Sequence, residues 1–319
     1  MKTSLICTVF NEEKTINQFI DSVLSQTVLP DELIIVDGGS FDKTVKKIEG
    51  KKRQYKNKLK IKFFIKKGNR SVGRNVAIKN SSNEIILSSD AGCVLDKNWI
   101  KNILTPFKNK EVEVVAGYYK GVGKGIFQRC LIPYVLVMED RVDENDFLPA
   151  TRSMAFKKSI LKKVGMFNED LSHNEDYAFA LKLREKEIKI VFKKDATVNW
   201  IPKDDFISAF KMFFRFAFGD AESGILRNKV LLIFARYLFL FYLLSIAFLI
   251  KSFALNILLI LFIGIYLFWA EFKNYKYVND TKALIILPVI QLLSDIAVLT
   301  GTSIGFIKYA SRVNFLNIF

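Results

Sequence analysis

The sequence predicts an α/β domain with a mostly parallel central sheet, followed by a C-terminal interface helix and transmembrane helices. Two observations lead to this prediction. Over residues 1–204, short apolar runs alternate with helical patterns, and several of the runs end at a polar turn. From residue 229 onward, charged residues become sparse and long apolar runs replace the alternation.

Strands and helices alternate regularly in the first part of the chain. The pattern β-α-β-α-β-α-β indicates parallel strands joined by right-handed crossovers. The predicted strands are residues 5–10, 32–36, 61–65, a run from 85 towards Asp90, 112–119, 154–156, 188–192 and 196–200. The predicted helices are residues 16–24, one from about 42, one opened by 68–75, then 99–104, 127–138, 159–164, 177–183 and 206–218.

The run that begins at Ile85 is the most informative stretch. It leads to Asp90, after which the chain turns through Ala91 and Gly92. A buried parallel strand ends in this way, and ligands of α/β sheets bind just outside such strand ends. A carboxylate at that place meets either a sugar hydroxyl or a metal-bound phosphate.

Two other predicted strands also end at polar turns, which contain Asn11 and Asp37. A helix N-cap explains each turn singly. Together with Asp90 on a third strand, they favour a ligand site at one edge of the sheet.

Composition limits the chemistry. The net charge of +16 suits an anionic membrane face or phosphate-bearing substrates, and equally a lysine-rich solvated surface. His173 is the only histidine, which excludes metal sites built on several histidines. The three cysteines, Cys7, Cys93 and Cys130, are expected to be reduced and buried. The N-terminal apolar run is too short for a secretory signal.

Residues 205–228 are predicted to form the interface helix and a linker. Aromatic side chains surround most of helix 206–218, with Lys211 and Arg215 on its polar side. Such a helix prefers a membrane interface, and a buried core helix is the alternative.

Residues 229–319 are predicted to form a membrane domain of two or three hydrophobic segments. The first has 21 residues and, at about 1.5 Å per residue, can cross a hydrocarbon core. The third carries Asp295, so it either spans while packed against the others or re-enters the membrane. The protein is expected to be multi-pass with a cytoplasmic catalytic domain, and the lysine-bearing loop 271–282 is then cytoplasmic too, as the positive-inside tendency predicts. The segments are residues 230–250, 253–270 and 283–307.

Five short motifs, in order and with fitting spacing, together carry a resemblance to a known family. The chain resembles the family 2 glycosyltransferases, which have the GT-A fold, over residues 3–200. The resemblance implies an inverting transferase that moves a sugar from a UDP- or GDP-sugar donor. The motifs are 8–13 (TVFNEE), 34–44 (IIVDGGSFDKT), 73–75 (GRN), 89–92 (SDAG) and 174–176 (NED).

The resemblance also implies roles for individual residues. Asp176, the second acid of the Glu175–Asp176 pair, would be the general base that deprotonates the acceptor. A pair of acids in the first turn of a helix is the simpler structural explanation, because the helix dipole favours it. The residues implied in binding the donor are Thr8, Asn11, Glu12, Asp37, Gly39, Arg74, Asp90 and Ala91.

Two positions depart from the family pattern. Asp90 is the first acid of the family's Asp-x-Asp motif, but Gly92 replaces the second acid. The resemblance implies a divalent metal, Mg²⁺ or Mn²⁺. The missing second acid weakens this expectation, because Asp90 alone supplies only one side-chain ligand. Polymer-forming members carry Gln-x-x-Arg-Trp, of which only Arg215 is present.

The membrane segments indicate a lipid-linked acceptor, such as a polyprenyl phosphate or a lipid-linked glycan, and contact with membrane lipids. A non-catalytic membrane scaffold that binds nucleotide sugar or a partner transferase is the main alternative. A nucleotidyltransferase would carry a glycine-rich basic loop after the first strand, where Asn11-Glu12-Glu13 stands. Nucleic-acid binding is not expected, because the basic residues are spread out and membrane segments follow.

Overall fold

The computed structural model describes residues 1–316, with side chains as far as Ser311. The chain divides into two compact units. The first contains Met1–Val122 and Val137–Ile201. The second contains Gly123–Leu136 and the chain from Pro202 onward.

Within the described residues, eight strands of the first unit form one sheet in the order β3-β2-β1-β4-β7-β6-β8-β5. Neighbours are parallel except β4–β7, β6–β7 and β5–β8. The mostly parallel sheet predicted from the sequence is therefore confirmed. The strands are β1 (Thr3–Val9), β2 (Glu32–Asp37), β3 (Lys60–Ile65), β4 (Ile85–Ser88), β5 (Cys93–Leu95), β6 (Val114–Gly121), β7 (Met154–Lys157) and β8 (Ile190–Trp200).

The sheet order determines which chain segments lie at one edge. Because β2, β1 and β4 are adjacent and parallel, the turns after them share the carboxyl edge. Strand β7 runs antiparallel to β4, with Met154 opposite Ser88. The residues just before β7 therefore lie at that same edge.

The late strands differ from the prediction. Two strands were expected at 188–192 and 196–200, but β8 is continuous. Its pairing with β6 jumps from Gly117–Lys193 to Tyr118–Thr197, so residues 194–196 bulge out of the ladder. The polar residues 193–195 at this bulge look like a turn in the sequence, although the strand continues through them. The short strand β5 was not predicted.

The first unit has helices on both faces of β1. Leu5 and Cys7 lie in a core cluster with Phe19. Ile6 points to the opposite face and lies in a cluster with Phe156 and Phe179. Burial on both faces explains why the parallel strands are continuous apolar runs.

The helices of the first unit largely follow the predicted positions. Short 3₁₀ turns occur at Thr105–Lys108, Glu139–Arg141 and Lys158–Ile160. The helices are α1 (Ile16–Leu24), α2 (Thr44–Gln54), α3 (Arg70–Lys79), α4 (Trp99–Leu104), α6 (Leu161–Val164) and α7 (Glu175–Glu185). Helix α5 (Ile126–Val135) belongs to the second unit.

The second unit is helical. Three of its helices, α9 (Asn228–Ile250), α10 (Phe253–Tyr275) and α11 (Ala283–Leu316), each contain a segment long and apolar enough to cross a membrane, and that of α11 is Ala283–Ser311. No bend to a re-entrant loop interrupts α11 in the described chain. The helices are α5 (Ile126–Val135), α8 (Phe206–Glu222), α9 (Asn228–Ile250), α10 (Phe253–Tyr275) and α11 (Ala283–Leu316).

Helix α8, the predicted interface helix, packs closely against α11. A Cβ built on Gly301 would lie 2.5 Å from the Phe214 carbonyl oxygen, and one on Gly305 would lie 2.6 Å from that of Phe218. Only glycine allows the two backbones to approach so closely. The first turn of α8 remains exposed, with Ile207 at 68%.

Asp295 is fully buried in the second unit, and its charge is compensated there. Arg236 of α9 contacts Asp295 Oδ2 at 2.7 Å, and the Tyr237 hydroxyl donates to the same oxygen at 3.1 Å. Tyr266 of α10 donates a short hydrogen bond, and Gln291 Nε2 donates to Oδ1 at 2.9 Å. A carboxylate in an apolar helix is tolerated when it is paired in this way.

Glu32, at the start of β2, is 1% exposed and anchors the end of the sheet away from the polar turns. Its carboxylate contacts Lys62 Nζ at 2.8 Å and accepts from Ser4 Oγ at 2.7 Å and from the Ser82 N–H at 2.6 Å. Burial alone would raise the pKa of Glu32, but these three partners lower it to about 2.

Glu32→Gln should destabilise the folded protein at neutral pH by about 1.5–3 kcal/mol, the value of hydrogen bonds to a charged group. The ionised carboxylate stabilises the fold above its ordinary pKa of 4.5, and this contribution is lost as the pH falls towards 2. The apparent melting temperatures of the wild-type protein and of Glu32→Gln, both solubilised in detergent, should thus differ most above about pH 5 and converge in acid. The exposed Glu49→Gln is the control, and a difference independent of pH would contradict the assignment.

Candidate active site

The turn after β2 is built around Asp37. Its Oδ2 accepts hydrogen bonds from the Gly39 N–H at 2.9 Å and the Ser40 N–H at 2.8 Å. Gly39 has φ +98°, a conformation that glycine adopts without strain. Asp37 is fully buried, so in this structure its carboxylate shapes the turn instead of facing a ligand directly.

The turn after β1 is tied to the turn after β2. The Asn11 N–H donates to Ser40 Oγ at 2.7 Å, and Asn11 Oδ1 accepts from the Phe41 N–H at 3.1 Å. The Glu12 N–H donates to Thr44 Oγ1 at 2.8 Å. The residues expected around the nucleoside are therefore brought together at the carboxyl edge, with Asn11 and Glu12 partly exposed.

Thr8 lies behind this edge, where β1 meets α3. A Cβ on Gly73 would lie 2.7 Å from Thr8 Cγ2, so a side chain at position 73 would force α3 away from β1. Glycine at this position lets α3 sit close to the strand. It thereby places the next residue, Arg74, next to Asp90 and Glu175.

Arg74 is 2% exposed and joins three segments of the chain. Its NH1 forms a short ion pair with Glu175, its NH2 lies 3.2 Å from Asp90 Oδ1, and the same NH2 donates to Thr151 Oγ1 at 2.7 Å. Arg74 was expected to help hold the nucleotide or diphosphate. The structure instead shows its guanidinium occupied by protein carboxylates.

Glu175 and Asp176 open α7 and have opposite environments. Burial would raise the pKa of Glu175, but Arg74 and Arg70 lower it below its ordinary value. Burial raises the pKa of Asp176, and the negative charges of Glu175 and Asp90 raise it further. Asp176 is partly exposed and accepts from the Tyr177 N–H at 2.9 Å. A carboxylate with a raised pKa and an open face is suited to accept a proton.

The protein groups near Asp90 do not form a metal site by themselves. The Asp90 side chain is 35% exposed, but Ala91 is buried and Gly92 offers no side-chain ligand. No group of three or more His, Cys, Asp or Glu residues in the described chain could hold a metal ion. His173 Nδ1 is 2.9 Å from Ser172 Oγ. All three cysteines are free and buried, as expected.

Sequence reasoning missed Thr151 and Arg152, which precede β7. Thr151 is a direct partner of Arg74. The guanidinium of Arg152 lies 5.1 Å from the ring centroid of Trp200 and 5.6 Å from that of Tyr119. Their place at the carboxyl edge follows from the antiparallel pairing of β7 with β4, for which the sequence contains no local signal.

Arg74→Met should destabilise the first unit by about 3–5 kcal/mol, because it leaves a buried carboxylate, Glu175, without its counter-charge. Arg74→Met combined with Glu175→Leu should recover a large part of this loss, since the buried charge of Glu175 is then removed too, and Asp90, the other ion-pair partner of Arg74, is partly exposed to water. Apparent melting temperatures of the three proteins test this. Equal losses in the single and double variants would show that Arg74 acts by packing alone.

The comparisons with known proteins agree with this geometry. A family model, Glycosyl transferase family 2, matches residues 4–165. The chain is 26% identical over 209 residues to the poly(ribitol-phosphate) beta-glucosyltransferase of Bacillus spizizenii, which covers 64% of this chain and 33% of that enzyme. The chain thus spans a third of that relative's length.

Solved structures show the same fold. The mannosyltransferase PcManGT from Pyrobaculum calidifontis, in complex with GDP-Man and Mn²⁺, superposes with a TM-score of 0.64 at 17% identity, covering 91% of this chain and 87% of that one. TarS 1–349 of Staphylococcus aureus, in complex with UDP-GlcNAc, has a TM-score of 0.52 at 19% identity, covering 95% and 91%. The GT-A fold expected from the resemblance is confirmed. Since the family model covers half of the sequence, the chain belongs to glycosyl transferase family 2.

Proposed function

We propose that this protein transfers a sugar from a UDP- or GDP-sugar to a lipid-linked acceptor at the cytoplasmic face of a membrane, with inversion at the anomeric carbon. The observation that carries the proposal is the pair Glu175–Asp176, held by Arg74 beside Asp90 at the edge where the parallel strands end. The rest of the site is consistent with a nucleotide-sugar donor.

The donor assignment rests on the strand ends and on the relatives. Backbone and side-chain groups of Asn11, Glu12 and Gly39 form a partly exposed polar edge above Thr8, with Asp37 holding its shape. The two structural neighbours bind UDP-GlcNAc and GDP-Man. We therefore assign the nucleoside to this edge and the diphosphate to the side of Asp90 and Ala91.

Asp176 is the proposed general base. As the acceptor oxygen bonds to the anomeric carbon, its proton passes to the Asp176 carboxylate, and the bond from that carbon to the diphosphate oxygen breaks. Glu175 stays ionised against Arg74 and keeps the start of α7 in place. A base is needed for a hydroxyl acceptor, since a phosphate is already ionised at neutral pH. This favours a lipid-linked glycan over a polyprenyl phosphate.

A divalent metal is not assigned a step in this mechanism. Mg²⁺ or Mn²⁺ was expected from the resemblance, and PcManGT was solved with Mn²⁺. In this chain Asp90 is the only acid of the motif, and the described residues provide no set of ligands around it. The described side chains therefore do not form a site that would hold a metal without the diphosphate of the donor.

We propose the same division as the sequence indicates: a catalytic domain of residues 1–204, an interface segment of 205–228 and a membrane domain of 229–319. Helices α9 and α10 are joined by Lys251 and Ser252, and the ring centroids of Phe239 and Phe262 lie 5.6 Å apart. They would form an antiparallel hairpin that leaves the membrane on the side where it entered. Their exposed apolar side chains, such as Phe248 and Ile260, suit contact with lipid tails.

Asp176→Asn should lower kcat about 100- to 10,000-fold while leaving donor affinity unchanged, because only the proton acceptor is removed. Turnover and donor binding are measured separately on the purified full chain. The exposed Asp204→Asn is the matched control and should retain activity. Wild-type turnover in Asp176→Asn would remove Asp176 as the base. Donor binding without turnover in the wild-type protein would favour the scaffold alternative.

The lipid acceptor is tested by incubating the protein in membranes with radiolabelled UDP- and GDP-sugars and three acceptors. These are a polyprenyl phosphate, a lipid-linked glycan and the same glycan without lipid. Transfer should be strongest to the lipid-linked glycan and should release nucleoside diphosphate. Equal transfer to the soluble glycan would contradict the lipid requirement.

A further inference from the structure

Arg152 stands at the carboxyl edge for a topological reason. In the β4–β7 pair, Ser88 lies opposite Met154 and the strands run in opposite directions. The residues before Met154 therefore continue alongside the residues after Ser88, which lead to Asp90. The bond from Arg74 NH2 to Thr151 Oγ1, at 2.7 Å, fixes this segment next to the Arg74–Asp90 pair.

Two aromatic rings hold the Arg152 guanidinium. It lies 5.1 Å from the centroid of the Trp200 ring and 5.6 Å from that of Tyr119, distances typical of cation–π contact. Trp200 ends β8 and pairs with Cys93 of β5, the residue after Gly92. The rings thus support a positive charge beside the position where the second acid of the motif is missing.

The guanidinium keeps its hydrogen-bonding capacity. Among residues 1–311, no carboxylate, carbonyl or hydroxyl bonds to Arg152, although the residue is half-buried. Arg74, in contrast, is already paired with Glu175 and Asp90 and donates a hydrogen bond to Thr151. A half-buried arginine stacked on two rings with free N–H groups presents a planar fork that matches phosphate oxygens.

The charge of Arg152 reaches the catalytic carboxylate and the Gly92 side of the site. It opposes the effects of burial and of neighbouring acids that raise the pKa of Asp176, and it does the same for the thiol of Cys93. A Cβ built on Gly92 meets no atom within 4 Å, so the space beside it is open. A diphosphate entering there would meet Asp90, Glu175 and Asp176, and it needs a positive charge that Arg74 does not provide.

We propose that Arg152 binds the diphosphate of the nucleotide-sugar donor and stabilises the negative charge on the departing nucleoside diphosphate. This inference rests on the proposed function and adds a residue to it. When the anomeric carbon bonds to the acceptor oxygen, the electron pair of the broken bond stays on the diphosphate oxygen. Arg152 faces that oxygen, and the acceptor proton goes to Asp176, so the step is balanced without a co-reactant.

The test compares wild-type protein with Arg152→Gln and Arg152→Lys, with Arg53→Gln, an exposed residue of α2, as the matched control. Binding of uridine, UDP, guanosine and GDP is measured by calorimetry in EDTA. For the nucleobase that the protein accepts, Arg152→Gln should weaken binding of the nucleoside diphosphate roughly 10- to 100-fold. The affinity for the nucleoside should stay unchanged. Arg152→Lys should be intermediate, because it keeps the charge and loses the fork. Arg53→Gln should match the wild-type protein.

Unchanged nucleoside binding also shows that the variants are folded. Wild-type affinity of Arg152→Gln for the diphosphate would overturn the proposal. So would a kinetic defect confined to the KM of a phosphate-bearing lipid, which would place Arg152 on the acceptor. If the wild-type protein bound neither nucleoside nor nucleotide, the proposed function itself would fail, and this inference with it.

Discussion

The buried guanidinium of Arg74 is the interaction on which the candidate site depends. It connects the helix after β3 with the end of β4 and with the start of α7, which lies 101 residues further along the chain. A buried arginine is tolerated only when its charge is paired and its N–H groups are bonded. Glu175 and Asp90 meet that need, and as a result their positions are coupled. Asp176 is placed by the same contact, because it follows Glu175 directly.

This coupling separates two carboxylates that adjoin in the sequence. Glu175 pairs with Arg74 and keeps a lowered pKa, whereas Asp176 has a raised pKa and a partly open face. One acid therefore holds the structure and the other is suited to proton transfer. The second unit solves a similar problem at Asp295, whose charge is compensated by Arg236 and by donors from α10 and α11. In both units a buried carboxylate ties together elements that are distant along the chain.

The residues of the candidate site could be predicted from the sequence to different degrees. Asn11, Asp37 and Asp90 were identifiable because each follows an apolar strand, and parallel neighbours end at one edge. The sequence did not show that Asp37 accepts hydrogen bonds within its own turn, or that Arg74 pairs with two carboxylates of the protein. Both depend on which donors fold back onto the side chain. Thr151 and Arg152 were missed because an antiparallel strand reaches the edge from the opposite direction and leaves no periodic signal.

The sequence by itself determined the order of strands and helices up to β4, the apolar C-terminal helices and the family, because periodicity and short motifs are local properties. The tertiary structure alone decided that β8 is one bulged strand and that α11 is continuous and packs on α8 through Gly301 and Gly305. It also decided that Arg152 stacks on Trp200, which pairs with the residue after Gly92. These features depend on pairing partners far away in the chain. Such partners are selected by packing and by charge compensation, which a single sequence does not display.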